Sequence, residues 1–131
     1  MEMYHKDGIV GYAENSEISY CYNIGKIESD YNSVGGLIGI VNMESIIQNS
    51  YNTGNVVGKQ NTGPIIGLNL NEKPLEENVT NCYYLGDTTS DLSRTEADMK
   101  TTEFINLIGG ESIWKLDSNN INNGFVILSW Q

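Results

Sequence analysis

One period governs this chain. Gly8-Ile9-Val10-Gly11-Tyr12 returns as Gly36-Leu37-Ile38-Gly39-Ile40 and as Pro64-Ile65-Ile66-Gly67-Leu68, shifted by 28 residues each time. A second string, Ile18-Ser19-Tyr20-Cys21-Tyr22-Asn23-Ile24-Gly25, returns as Ile47-Gln48-Asn49-Ser50-Tyr51-Asn52-Thr53-Gly54 and then Val79-Thr80-Asn81-Cys82-Tyr83-Tyr84-Leu85-Gly86, with shifts of 29 and 32 residues. The surplus in the third unit falls in Asn69 to Asn78, a polar stretch containing Pro74, which reads as a lengthened surface loop. Units this short bury no apolar face alone, so a fixed period implies that they stack.

Within the middle unit, Gly36 to Val41, Ile46 to Tyr51 and Asn55 to Val57 are short runs of β-branched and aromatic residues separated by Gly and Asn. None has a helical period. Stacking in register places each strand about 4.8 Å from its counterpart. The expected fold is therefore mainly β, a parallel β-solenoid (β-helix) of about three coils. Ile9, Leu37 and Ile65 then form one ladder, Tyr22, Tyr51 and Tyr83 another, and Gly25, Gly54 and Gly86 a corner. Gly11, Gly39 and Gly67 mark a bend or a close backbone approach. Which member of each Leu-Ile pair faces inward stays open. A small antiparallel sandwich of hairpins has similar Gly and Asn spacing, but the residue-by-residue register favours the stack.

Composition narrows the partners. Seven basic against 17 acidic residues give a net charge of -10, which repels nucleic acid and anionic membrane surfaces. The 17 Asn and 14 Gly suit tight corners at short spacing. No apolar run approaches the roughly 18 residues of a membrane span, so no membrane insertion is expected. Met1 to Asp7 lacks the basic-then-apolar start of a signal peptide, so an export signal would lie outside this chain.

Gly35-Gly36-Leu37-Ile38-Gly39 and Gln48-Asn49-Ser50-Tyr51-Asn52-Thr53-Gly54-Asn55-Val56 resemble the GLUG-motif repeats of bacterial surface and secreted proteins, including those attached to immunoglobulin A-specific metallopeptidases and filamentous adhesins. The resemblance covers roughly residues 7 to 86. Its middle unit fits best; Asp7 stands where a Gly is usual, and Pro64 replaces the second Gly. It implies a passive or adhesive extracellular or cell-surface module of a longer parent protein, and no chemistry.

Residues 1–86 are thus read as three repeats, and 87–131 as a C-terminal cap in the same domain. In the cap, Thr95-Glu96-Ala97-Asp98 is similar to a capping box, and Met99, Phe104, Leu107 and Ile108 continue an apolar stripe to Gly109-Gly110, predicting one helix over about 95–108. Ile113 to Leu116 and Gly124 to Trp130 predict two short strands around an Asn-rich turn. The helix and the two tryptophans are expected to cover the open edge of the last coil. The first coil has no such cover, which allows edge-to-edge self-association there.

Chemistry finds little footing. His5 is the only histidine, and no His-Glu-x-x-His string occurs, so the peptidase activity of some family members does not carry over. The carboxylates Glu28, Asp30, Glu44, Glu72, Glu76 and Glu77 are dispersed rather than paired, unlike a sugar-cleaving site. Asp117-Ser118-Asn119-Asn120 and the Asp87, Asp91 pair read as turns before calcium ligands, and Asn78-Val79-Thr80 fits a glycosylation sequon weakly. Cys21 and Cys82 occupy equivalent positions two coils apart, about 9.6 Å from twice the strand spacing. That exceeds the roughly 7 Å a disulfide spans, so buried free thiols are expected. No catalytic, cofactor or metal residue is assigned. The expectation is a non-enzymatic spacer or protein-interaction module whose partner is a protein or a host-surface glycan; the alternative is a carbohydrate-binding module using Tyr12, Tyr31 or Tyr84 as exposed stacking platforms.

Overall fold

The structure is a computed structural model describing residues 6–71, 73–87 and 89–131, with Lys6 and Asp7 described by their backbone alone. It is mainly β with parallel sheets. The first unit supplies β1 (Lys6–Asp7), β2 (Val10–Glu14), β3 (Glu17–Ser19), β4 (Tyr22–Asn23) and β5 (Ile27–Glu28). The second supplies β6 (Asn32–Gly35), β7 (Ile38–Asn42), β8 (Ile46–Asn52) and β9 (Val56–Val57). The third supplies β10 (Gln60–Gly63), β11 (Ile66–Asn69), the one-turn helix α1 (Leu75–Asn78) and β12 (Val79–Leu85).

These strands sort into four sheets, all four visited in the same order by the first two units and the first three by the third unit among the described residues. The first is β1-β6-β10, the second β2-β7-β11, the third β3 and β4 with β8 and β12, and the fourth β5-β9. Every pairing among them is parallel, and the register is that of the repeat: Val10, Ile38 and Ile66 align, as do Ile18, Ile47 and Val79, and Tyr22, Tyr51 and Tyr83. The surplus of the third unit sits between the second and third sheets, where Pro74 starts α1 and Glu77 N–H donates to Pro74 O at 3.1 Å. The first sheet has no counterpart among the expected strands. Asn32–Gly35 and Gln60–Gly63 are polar and glycine-bearing, so no apolar alternation marks them.

Left-handed residues set the corners. Tyr20, Asn49 and Asn81, aligned in the third sheet, have φ of 58°, 52° and 53°, a conformation Asn tolerates better than most residues. Each distorts the strand and leaves a carbonyl to be satisfied locally. Ser50 Oγ donates to Gln48 O at 2.9 Å, and the aligned thiols do the same, Cys21 to Ser19 O and Cys82 to Thr80 O. Ser50 Oγ also accepts from Cys21 N–H at 3.0 Å. Both thiols are free, as the register requires, although only Cys82 is fully buried and Cys21 is half-buried.

The inner core is Ala13, Leu37, Ile38, Val41, Ile47, Ile65, Ile66, Val79 and Cys82. Both members of the Leu37-Ile38 and Ile65-Ile66 pairs are buried. The reason is a bulge: the N–H groups of Leu37 and Ile38 both donate to Ile65 O at 3.0 Å, so two consecutive residues fall on one side. Gly67 is a close approach, since a Cβ there would lie 2.8 Å from Gly39 O.

The remaining elements depart from expectation in two ways. First, the single helix over 95–108 is divided into a 3₁₀ turn (Asp98–Lys100) and α2 (Thr102–Leu107). Thr101 between them is extended, with φ -119° and ψ 160°, and its Oγ1 caps α2 by accepting from Phe104 N–H at 3.2 Å. Second, apart from β13 (Ser93–Arg94), this region does not continue the parallel sheets. β13 extends the third sheet, pairing in parallel with Tyr84 and Leu85 of β12. The antiparallel pair β14 (Trp114–Lys115) and β15 (Ile127–Leu128), together with α2, packs on the outer flank of the third sheet around Tyr51, Met99, Phe104, Ile105, Ile108, Trp114, Phe125 and Val126. Trp130, expected to help cover the edge, is 69% exposed. The tyrosines face outward on that flank, and covering their large apolar surface draws the C-terminal elements sideways.

Burial pushes the Cys82 thiol up to about 12 from its usual 9, and burial followed by the adjacent Tyr22 raises Tyr51 as well. A raised folded value stabilises the protein below the unfolded value and is lost as pH climbs through the folded one. Urea unfolding should therefore show stability falling between about pH 9 and 12. The Cys82→Ser variant, which copies Ser50 one unit below, should lose less over that range than the parent; an equal loss would remove the thiol from the account.

Candidate interaction surface

The corner between the third and fourth sheets is built from Tyr-Asn-x-Gly. Asn52 is buried and spends its whole amide on the backbone and its neighbour: Nδ2 donates to Gly54 O at 3.0 Å and to Pro64 O at 2.9 Å, while Oδ1 accepts from Gly54 N–H at 2.9 Å and Asn23 Nδ2 at 2.8 Å. Asn23 repeats the pattern one unit below with Gly25. The Asn column leaves no room for a side chain opposite it. A Cβ on Gly36 would lie 2.0 Å from Pro64 O and 2.2 Å from Asn52 Nδ2, and one on Gly8 would lie 2.2 Å from Gly36 O.

In the third unit the column ends. Tyr84 takes the position aligned with Asn52, and Pro64 takes the position of Gly8 and Gly36. Tyr84 packs against the inner core together with Leu92. Beside it lies an open groove of about 480 Å³ lined by Asn52 to Val56, Thr62 to Pro64, Tyr84 and Leu85, all uncharged.

On the neighbouring flank the tyrosines form a second column. Tyr22 and Tyr51 stack with centroids 5.2 Å apart and planes 5° from parallel. Phe104 meets both Tyr51 and Tyr83 edge-on, and the Arg94 guanidinium lies 4.5 Å from the Tyr83 ring centroid, closing the column with a cation–π contact. Tyr51 is fully buried; its hydroxyl donates to Val126 O at 2.5 Å and accepts from Asn122 Nδ2 at 3.0 Å. The loop carrying Asn122 is organised by Asp117, whose carboxylate accepts from the N–H groups of Ile121, Asn122 and Gly124 at 2.7 to 2.9 Å. Desolvation works against that charge, and the three donors outweigh it and hold Asp117 below the usual carboxylate range. Asp117 is thus a turn organiser with its oxygens occupied. Asp87 is likewise engaged by Thr89, whose side-chain and backbone donors lower it.

The other candidates do not converge. His5 and Glu72 lie outside the described residues. Glu28 pairs with Lys26 at 3.1 Å on the exposed fourth sheet, near Asp30, whereas Glu44, Glu76 and Glu77 lie at the corner between the second and third sheets. Asn78 of the sequon is buried at the end of α1, with Nδ2 donating to Pro74 O at 3.1 Å. Among the three tyrosines, Tyr12 sits on the second sheet and accepts from Asn42 Nδ2, Tyr31 sits at the corner before β6, and Tyr84 faces the core rather than solvent. They share no face. The groove and the Asn column were missed in the sequence; the signal was the change from Asn23 and Asn52 to Tyr84 at one repeat position.

Gly36→Ala should destabilise the protein by about 3 kcal/mol or more, since a Cβ there overlaps backbone and a fixed amide. Chemical denaturation checks this, and a change below about 1 kcal/mol would mean that the Asn corner relaxes freely. Tyr51→Phe removes one donor and one acceptor from a buried network and should cost about 1–3 kcal/mol, with the near-ultraviolet signal of the flank altered.

Among known proteins, residues 30–57 match the family model described as the GLUG motif. No curated protein and no solved structure matches the chain. The matched segment runs from Asp30 to Val57 and holds β6, β7, β8 and β9, the Gly36 contact and the buried Asn52, so the unit at the centre of the sheets is the one that matches the GLUG motif.

Proposed function

We propose that residues 1–86 are about three coils of a parallel β-solenoid, flanked within the same domain by residues 87–131, and that the whole acts as a non-catalytic spacer or protein-interaction module of a bacterial surface or secreted protein. The observation that carries this reading is the register: each strand of the three units pairs in parallel with its counterpart one repeat away, at the offsets of the sequence period. Dispersal of the carboxylates over separate corners supports a non-enzymatic role, and the uncharged lining of the groove supports contact with polypeptide. The glycan reading is weaker, because Tyr12, Tyr31 and Tyr84 occupy different sides.

Two experiments test it. Duplicating residues 30–57 in tandem should give a folded protein about 4.8 Å longer along one axis by small-angle scattering, because one unit adds one strand to each sheet. Duplicating only residues 30–43 should disrupt folding. If the two duplications behave alike, the stack is wrong. For location, protease treatment of intact producing cells should release peptides of this chain, and protection until lysis would count against a surface role.

A further inference from the structure

We infer that the groove beside Tyr84 is an acceptor slot for one extended polypeptide strand, which would add in parallel to β9 and place an aliphatic residue over Val56.

The slot follows from which strands each unit provides. The third unit contributes β10, β11 and β12 to the first three sheets, but among the described residues it contributes nothing to the fourth. After Leu85 the chain pairs back onto the third sheet as β13, and among the described residues the fourth sheet has two strands. The vacant position has a floor, Asn52 to Val56, and two walls, Tyr84 with Leu85 and Thr62 to Pro64, which are the residues lining the groove.

The backbone of the floor is aimed correctly. Asn55 O and Val57 O accept from the N–H of Ile27 in β5 and of Ser29 just after it, at 2.8 and 3.0 Å. In a parallel strand, alternate residues address opposite neighbours, so the N–H and C=O of Val56 point away from β5 into the slot. An added strand would find a donor and an acceptor there.

The repeat also specifies the occupant's chemistry. Below the slot, Gly25 and Gly54 align at the corner and Ile27 aligns with Val56. Gly86 of this chain already follows Leu85 in the glycine ladder, so only the Ile27–Val56 ladder remains to be continued, and it calls for Ile or Val in the incoming strand. Its neighbours are uncharged, while the chain as a whole carries a net charge of -10, so a neutral or weakly basic segment is favoured. A folded second copy is the wrong shape. Its own fourth-sheet strand β5 is flanked at the same level by β1 and β4, which would collide with the walls formed by Thr62 to Pro64 and Tyr84 with Leu85. A free, extended segment fits.

This inference deepens the interaction-module reading and rests on it for the parallel stack. The probe is an acetylated, amidated peptide with the sequence of residues 53–59, Thr-Gly-Asn-Val-Val-Gly-Lys, titrated into the full ¹⁵N-labelled chain. Saturable amide shifts are expected at Val56 and its neighbours and at Thr62 and Gly63. Replacing the first valine of the peptide with aspartate, or Val56→Pro in the protein, should weaken binding at least ten-fold. If the Val56→Pro chain does not fold, a peptide N-methylated at its second valine, the residue after the one facing Val56 and the donor to Val56 O, carries the same test. No saturable shift at millimolar peptide, shifts confined to other edges, or equal binding by the altered partners would overturn the slot. The duplication experiment is independent: if residues 30–57 duplicate cleanly and the peptide does not bind, the slot falls and the stack stands.

Discussion

Asn52 holds the units to one another. Its buried amide reaches a turn in its own unit through Gly54, the next unit through Pro64 and the previous one through Asn23. Backbone ladders alone leave the sheets free to slide by a residue, whereas a fully engaged buried amide penalises any register that leaves it unpaired. Its geometry propagates outward. The close packing at Gly36 follows from it, and so does the sharp turn that carries the chain from the third sheet to the fourth.

The tyrosine column is its counterpart on the outside. Tyr51 directly precedes Asn52, so one dipeptide places an amide in the interior and a phenol ring on the flank. Through its hydroxyl, Tyr51 fixes Val126 and Asn122; through its ring it meets Phe104 and Trp114. The C-terminal third is therefore bound to the repeats by a face that every unit presents. That explains why a helix and hairpin with little internal core of their own are ordered against it.

Much of the pairing was legible in the residues, because parallel stacking keeps like positions aligned and the period reports them directly. The alignments of Ile18 with Ile47 and Val79, and of Tyr22 with Tyr51 and Tyr83, are those of the sequence strings. What escaped has a physical cause. Strict alternation puts Tyr51 on the same side as Ile47, but the left-handed Asn49 shifts the parity, so that Ser50 joins Ile47 inside and Tyr51 turns out. The direction in which the C-terminal elements would pack hung on that one residue. The first sheet escaped because Asn32–Gly35 and Gln60–Gly63 carry few apolar groups and owe their extended form to the strands beside them. The groove escaped because it is defined by a strand that the third unit does not supply, and a period reports only what recurs.

Pro64 and Tyr84 give the array a direction of growth. Gly36 must lack a side chain because the unit after it presses Pro64 O against it, whereas Pro64 has no such follower. Duplication of a segment within the first two units would therefore add a strand to each sheet with every corner intact. Duplication beginning at the third would bury a ring and a prolyl group where only an amide and a hydrogen fit.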